Sequence, residues 1–354
     1  MHASRFTTLA ASAAATLFAL ALGGCQSVPD APDNPDEVPT ALATAQALAD
    51  AGDNERALAL LRKSREVRGA DPASRDALEV LLIEVAARRL EELEQARDAD
   101  ELLELTELNL PRQLAVRAGL LAARIELEDD DPKAAVKIVR QLDGQFPFHH
   151  EREEAGSILW DAGTLMAADD EGWTWFTLRD NGRDALEYLC DQYIRDARWD
   201  RAAFLVAELY EDEEEWEIAR EWHEDLLTFR PASPLVVSSL ARIPRLRLNE
   251  IESPEYDRTQ VEVARDELEQ WLSQHSDHPS GDEARADYAD ALRRLVLSDL
   301  VISKFYERND KTFGARYHLD RAIATAEQIE DEALDVEIAE VSQRVEDLEN
   351  GRPE

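Results

Sequence analysis

Apolar residues recur every three to four positions over most of this chain, and short polar runs containing Gly, Asp or Pro break the pattern. From Thr40 to Pro72, TALATAQALADAGDNERALALLRKSREVRGADP reads as an amphipathic helix, a turn at Gly52-Asp53, a second helix and an Asp-Pro stop. Residues 75 to 108 give two leucine-rich helices ending before Pro111. From Gln113, QLAVRAGLLAARIELEDDDPKAAVKIVRQLDGQFP repeats the layout, with Asp131-Pro132 opening the second helix where proline is tolerated. Helical patterns follow in GRDALEYLCDQYIRDARWDRAAFLVAELY, EEEWEIAREWHEDLLTFRPASP, TQVEVARDELEQWLSQHSDHPSGDEA and LVISKFYERNDKTFGARYHLDRAIATAEQI. Residues 334 to 349 supply a terminal helix. Val and Ile rarely alternate with polar residues over a strand length, so strands are hardly indicated.

The unit at 40 to 72 resembles a tetratricopeptide repeat, whose period is 34 residues. Ala49 and Ala57 let two antiparallel helices approach, while Leu48, Leu58 and Leu61 fill the gap between them. Ala134 and Ala202, 68 residues apart, fall at equivalent second-helix positions. One such unit cannot bury its apolar face alone, so neighbours stack on it. The expectation is an all-α fold, a tetratricopeptide-repeat-like helical solenoid of antiparallel helix pairs, with the terminal helix capping the last repeat. Amino-terminal repeats fill 40 to 150, middle repeats 151 to 250, and carboxy-terminal repeats with the cap 251 to 349. Two segments interrupt the rhythm. In 169 to 179, DDEGWTWFTLR, the aromatic residues Trp173, Trp175 and Phe176 form either a loop folded onto the solenoid or an exposed recognition patch. The other interruption is PRLRLNEIESPEYDR, 244 to 258.

The amino terminus changes the picture. Arg5, an alanine-rich apolar run from Leu9 to Leu22 and then Gly23-Gly24 describe a secretory signal peptide over residues 1 to 24. Leu22-Gly23-Gly24-Cys25 resembles the lipobox of bacterial lipoproteins, which implies lipidation of Cys25 and cleavage just before it. Gln26 follows in place of an aspartate, and the resemblance then implies outer-membrane attachment. Residues 25 to 39, rich in Pro and Asp, are expected to be an unfolded tether. The 39 basic and 77 acidic residues leave a net charge of −38, spread along the chain. Such a surface lacks the basic footprint that nucleic acid requires. It also repels anionic headgroups, so the membrane is held through the lipid, and it favours basic partner surfaces.

From about Arg195 onward the chain resembles the BamD family, tetratricopeptide lipoproteins of the outer-membrane β-barrel assembly machinery. The stretches that carry the resemblance are SPEYDRTQVEVARDELEQWLSQHSDHPSGDEAR, 253 to 285, and LRRLVLSDLVISKFYERNDKTFGARYHLDRAI, 292 to 323. Family features appear at Asp257 and Thr259, Asp277 to Ser280, Phe305-Tyr306 and Gly314-Ala315. Thr259 with Glu262 also fits a capping box. The front half, to about residue 150, does not align with that family. The resemblance implies carboxy-terminal repeats that dock on a barrel-forming assembly subunit (BamA-like), and amino-terminal repeats that handle unfolded outer-membrane protein precursors.

Candidate chemistry is sparse. Glu252-Ser253 faintly resembles the catalytic Glu-Ser of lytic transglycosylases, but no Gly-Leu-Met-Gln segment follows, and a polar connection between repeats accounts for it. His149-His150 and His275 with His278 read as solvated loop histidines, without the three or four ligands of a zinc site. EDEEEWE, 211 to 217, reads as a helix start or a dock for a basic partner. Cys190 reads as a core residue. The expectation is a non-catalytic scaffold without cofactor or metal. Its partner surface is placed around Arg293, Arg294, Phe305, Tyr306, Arg308 and Arg316, where rare positive charge meets aromatics. The other reading is a general envelope adaptor for peptidoglycan or secretion partners.

Overall fold

In the computed structural model the described residues are 31–108, 110–168, 175–251 and 258–351. Cys25, Trp173, Glu252, Ser253 and Asp257 lie outside them, as does the expected signal peptide. The described residues are all-α, with no strand among them. They form two compact units, divided in the chain between Glu151 and Arg152. The second unit runs through residue 250, where the sequence suggested a division into middle and carboxy-terminal segments.

In the first unit a short 3-10 turn, Pro35–Glu37, precedes α1 (Val38–Asp50), α2 (Asn54–Glu66), α3 (Pro72–Ala96), α4 (Ala99–Thr106), α5 (Arg112–Glu128) and α6 (Pro132–Gln145). In the second are α7 (Arg152–Ala167), α8 (Trp175–Gln192), α9 (Trp199–Asp212), α10 (Trp216–Phe229), α11 (Val236–Asn249), α12 (Arg258–His275), α13 (Gly281–Arg308), α14 (Thr312–Ala326) and α15 (Glu332–Glu349). Within each unit successive helices pack side by side. Contacts also run from α1 to α3, from α11 to α13 and from α13 to α15. Helix pairs therefore stack in series, the arrangement the sequence pattern predicts.

One turn recurs and sets the pairing. After α1, α3, α5, α9 and α13 a residue takes left-handed backbone: Gly52, Arg97, Asp130, Glu214 and Asp310, with φ between 54° and 82°. The next amide then reaches back five residues, from Asp53 to Leu48, Asp98 to Leu93, Asp131 to Glu126, Glu215 to Tyr210 and Lys311 to Tyr306, at 2.8–3.1 Å. This closes the carbonyl end of each first helix as a Schellman motif. Asp53, Asp98 and Asp131 then accept from the amides of Arg56, Glu101 and Ala134, capping the second helix. Asp71 and Asp331 cap α3 and α15 in the same way, so part of the acidic excess serves as helix caps.

The turns correct several expectations. Ala202 belongs to α9, a first helix, and Ala134 to α6, a second one, so the two alanines are not equivalent. The described parts of both interruptions are largely helical, residues 175–179 in α8 and 244–249 in α11. Trp175 and Phe176 begin α8 in place of a loop. Pro244 sits inside α11, which runs on to Asn249. Thr259 lies within α12, and Glu262 accepts from Arg258 Nε at 2.9 Å, so no capping box forms there. EDEEEWE spans the end of α9, its turn and the start of α10. The end of the expected tether is folded, because Val38 is buried and a β-carbon on Gly69 would lie 3.2 Å from Pro35.

Cores are built from Leu, Ala and Val, with Ala49, Ala57, Leu48, Leu58 and Leu61 buried between α1 and α2 as the pattern requires. Cys190 is buried in α8, where desolvation pushes its thiol well above the usual range. His149 is buried as well, 3.3 Å from Asp143. His275 and His278 are half-buried, with ring centroids 5.5 and 5.7 Å from Trp271. Three of these four histidines are therefore structural, against the reading as solvated loops.

Candidate functional site

The predicted partner surface lies on α13 and α14, and the structure divides it. Arg294 donates to Asp290 at 2.8 Å and to the Leu248 carbonyl at 2.6 Å, far from the hairpin tip. Arg293 faces Asp331 at 3.4 Å. Arg316 makes a two-pronged bond to Glu349 at 2.9 and 2.7 Å, which holds its guanidinium charged and the Glu349 carboxyl below the usual range. The acidic excess has thus consumed three of the four arginines. Arg308 bonds only a backbone carbonyl, that of Lys304, and meets no carboxylate among the described residues; neighbouring Lys311 is likewise without one.

The aromatic part is more extensive than the sequence suggested. Phe305, Phe313 and Tyr317 are 56%, 86% and 51% exposed, an unusual grouping of large rings in water. Tyr306 is half-buried and packs on the core of α13, α14 and α15, with Phe305 edge-on at 5.7 Å and His318 stacked at 5.8 Å. Tyr317 meets His318 at 5.2 Å. Gly314 is required here, since a β-carbon would stand 2.7 Å from the Tyr306 ring. Phe313 and Tyr317, spaced i and i+4 on one face of α14, are legible as a pair in the sequence but lie outside the Phe305-Tyr306 motif.

A buried carboxylate holds this surface in place. Asp299, fully buried on α13, accepts from His318 Nδ1 at 2.7 Å and from Arg258 Nη2 at 3.0 Å, with Arg321 Nε at 3.6 Å. One side chain therefore ties α12, α13 and α14 together beneath the rings. Buried charge is tolerated only when paired in this way.

A second feature is a polar recess of about 450 Å³ inside the second unit, lined by residues of α7, α8, α9, α11 and α13. Arg242 reaches from α11 to Glu211 and Glu208 on α9, at 3.0 Å each. His223, fully buried, donates from Nε2 to Glu211 at 3.1 Å, since a carboxylate only accepts, and its Nδ1 lies 3.1 Å from Ser239. Burial alone would raise Glu211, but the His223 bond and the Arg242 charge hold it below the ordinary range. Burial raises Glu208, against the pull of Arg242. Asp287 on α13 has no side-chain hydrogen bond or ion pair among the described residues and is pushed up to about 6, chiefly by burial, against the pull of the Arg245 charge. The arrangement offers recognition of charge along a groove. Among the described residues no group of three or more His, Cys, Asp or Glu is placed to hold a metal.

No known protein-family model matches the chain, and no curated protein matches it. Solved structures with weak similarity include a putative kinesin light chain with nearly identical TPR-like repeats from Podosopora anserina. It is 15% identical, with a TM-score of 0.30, covering 60% of this chain and 95% of that one. Another is an assembly chaperone of RpL4 (Acl4), 18% identical, TM-score 0.26, covering 74% of this chain and 96% of the other. A circular tandem repeat protein is 14% identical, TM-score 0.21, covering 89% and 77% respectively. At these scores the architecture rests on the helix order and the recurring turns described above.

Proposed function

We propose that the chain is a non-catalytic, lipid-anchored scaffold that holds other proteins at the periplasmic face of an outer membrane, acting in β-barrel assembly as BamD-like proteins do. The observation that carries the interaction role is the exposed aromatic hairpin. Rings at Phe305, Phe313 and Tyr317 remain in water while the network around Asp299 fixes the helices beneath them. Full burial of one such side chain is favourable by about 1.5–3 kcal/mol, so three together provide a strong incentive to bind. Helix-pair stacks are suited to this work because their function is surface presentation.

The finer reading rests on sequence. The lipobox ending at Cys25 supplies the anchor, and the segments 253 to 285 and 292 to 323 resemble the assembly family. On this reading the hairpin contacts a barrel-forming, BamA-like subunit, and the amino-terminal repeats handle unfolded precursors. The test is crosslinking in intact cells, purification of the tagged protein and mass identification of what accompanies it. Recovery of a large β-barrel protein with periplasmic repeat domains, lost in a Phe305→Ser, Phe313→Ser variant, supports the assembly role. Recovery of cell-wall enzymes or secretion components alone favours the general envelope adaptor. For the anchor, intact-mass measurement of the mature protein is expected to find an acylated amino-terminal Cys25, and Cys25→Ser is expected to release the chain from membranes.

A further inference from the structure

The turn that follows α6 holds a large side chain in unfavourable backbone. Phe148 has φ 60° and is 84% exposed. Left-handed backbone is costly for a bulky residue, and a ring left in water gains nothing from burial. Its neighbours on both sides are fastened. Before it, Arg112 of α5 donates from Nη2 to the Phe146 carbonyl at 2.9 Å and also to that of Pro147. After it, His149 is buried, with Nε2 3.3 Å from Asp143 of α6. The residues around the ring thus hold it outward, and strain of this kind collects where function requires it.

The helix before this turn is a local exception to the acidity of the chain. Net charge is −38 overall, yet from Pro132 to His150 the sequence carries Lys133, Lys137 and Arg140 against one carboxylate, Asp143. Asp143 is turned inward, with its side chain 10% exposed. The three cations are exposed and fall at i, i+4 and i+7, which makes one stripe along α6. Gly144 continues that face, with open space where a β-carbon would stand. Lys133 and Lys137 make no hydrogen bond or ion pair among the described residues. Asp129, Asp130 and Asp131 stand at the far end of the stripe, where Asp129 is paired with Arg97 at 2.7 Å and Asp131 accepts from the Ala134 amide at 2.9 Å.

An occupant complementary to this surface brings carboxylates to the stripe and an apolar group to the ring. We propose that α6 and Phe148 dock an acidic polypeptide segment of a partner protein, its carboxylates on Lys133 and Lys137 and an apolar side chain against the Phe148 ring. The two lysines stand about 6 Å apart along the helix axis, close to the roughly 6.6 Å between alternate residues of an extended chain. An anionic membrane suits the surface less, because headgroups over the stripe would also meet Asp130 and Asp131, whereas a single segment ends before them. The inference goes beyond the scaffold reading, since this surface belongs to the first unit and the aromatic hairpin to the second.

The test uses the full chain and a dye-labelled peptide of serine and glycine that carries two glutamates at alternate positions and a leucine beyond them. α6 runs on for eight residues past Lys137, about 12 Å, so the leucine is placed about five residues after the second glutamate. Fluorescence anisotropy is read at low ionic strength, where exposed charges are least screened. The expected result is saturable binding, weakened about five- to tenfold when the glutamates are replaced by glutamine, and by a similar factor in a Lys133→Gln, Lys137→Gln chain. An Arg62→Gln, Lys63→Gln chain loses the same charge from exposed positions on α2 and is expected to bind within about twofold of the parent. Phe148→Gly is expected to weaken the peptide and raise the thermal midpoint of the first unit together, because glycine takes left-handed backbone without strain. No saturable binding, equal response to the glutamine peptide, equal loss in the α2 variant, or indifference to Phe148→Gly overturns the proposal. Binding to phosphatidylglycerol vesicles through Lys133 and Lys137, without peptide binding, overturns it in favour of a membrane face. Phe313-dependent partner capture that persists in any of these cases leaves the scaffold reading standing.

Discussion

Replacing Asp299 by alanine tests whether the aromatic hairpin is held by the charge network beneath it. The carboxylate is 1% exposed and gives one oxygen to His318 at 2.7 Å and the other to Arg258 at 3.0 Å. Hydrogen bonds to charged groups contribute roughly 1.5–3 kcal/mol each, and removing one partner of a buried pair costs about 3–5 kcal/mol. Arg258 is partly exposed and retains Glu262 at 2.9 Å, and Arg321 retains Glu262 at 3.7 Å, so the lower end applies. The expected loss is about 3 kcal/mol. All seven tryptophans lie at or beyond Trp160, so their fluorescence during urea unfolding reports the second unit alone. A double-mutant cycle of Asp299→Ala with His318→Ala is expected to show coupling of at least about 1 kcal/mol, with changed near-ultraviolet dichroism from the tyrosines. A loss below about 1 kcal/mol, or additive behaviour in the cycle, refutes the network as the support of the hairpin.

Two glycines give opposite expectations for the same substitution. Gly182→Ala places a β-carbon 2.6 Å from the Ala167 amide nitrogen and 2.8 Å from the Gly163 carbonyl, where no side chain can turn aside; the gain of about 1 kcal/mol in helix propensity is outweighed, and the second unit is expected to lose about 2 kcal/mol by tryptophan fluorescence. Gly144→Ala, in α6, meets nothing within 4 Å and is expected to stabilise the first unit by about 1 kcal/mol, read by far-ultraviolet dichroism. Asp287 has its folded-state value raised from 3.8 to about 6, so the folded chain holds the extra proton between these values and this group's contribution to stability falls as pH rises through that window. Asp287→Asn is therefore expected to stabilise the protein at neutral pH and change little near pH 4, and a carboxyl carbon titration by NMR checks the value directly. Burial of Cys190 predicts no labelling by a thiol reagent in the native chain and full labelling after unfolding.

The helix pairs were legible because their signals are local. Gly52 and the Asp131-Pro132 start are turn and cap chemistry, and both appear where the pattern put them. Pair phase was harder to read. Arg97 and Glu214 adopt the left-handed turn although their residue types do not favour it, and Asp130 and Asp310, which do, are hidden among the many other acidic residues, so the helix of the pair to which Ala202 belongs is not legible from the sequence. The interruption expected from residue 244 begins later, because α11 continues through Pro244 to Asn249 although proline usually ends a helix. At the candidate site, composition showed where positive charge gathers but not which carboxylates consume it. Glu349 and Asp331, at opposite ends of α15, neutralise Arg316 and Arg293, and only tertiary packing brings them there. Exposure of Phe313 and burial of His149 were equally beyond reach, because both depend on which side of a turn faces the next helix.

The most direct test of the scaffold account is a photocrosslinking amino acid in place of Phe313, in cells producing the full chain, with mass identification of the adduct. The account predicts one dominant adduct, with an outer-membrane barrel protein bearing periplasmic repeat domains, and its loss when Phe305 and Tyr317 are changed to serine. Absence of any protein adduct at Phe313, or adducts with cell-wall or secretion proteins alone, contradicts it.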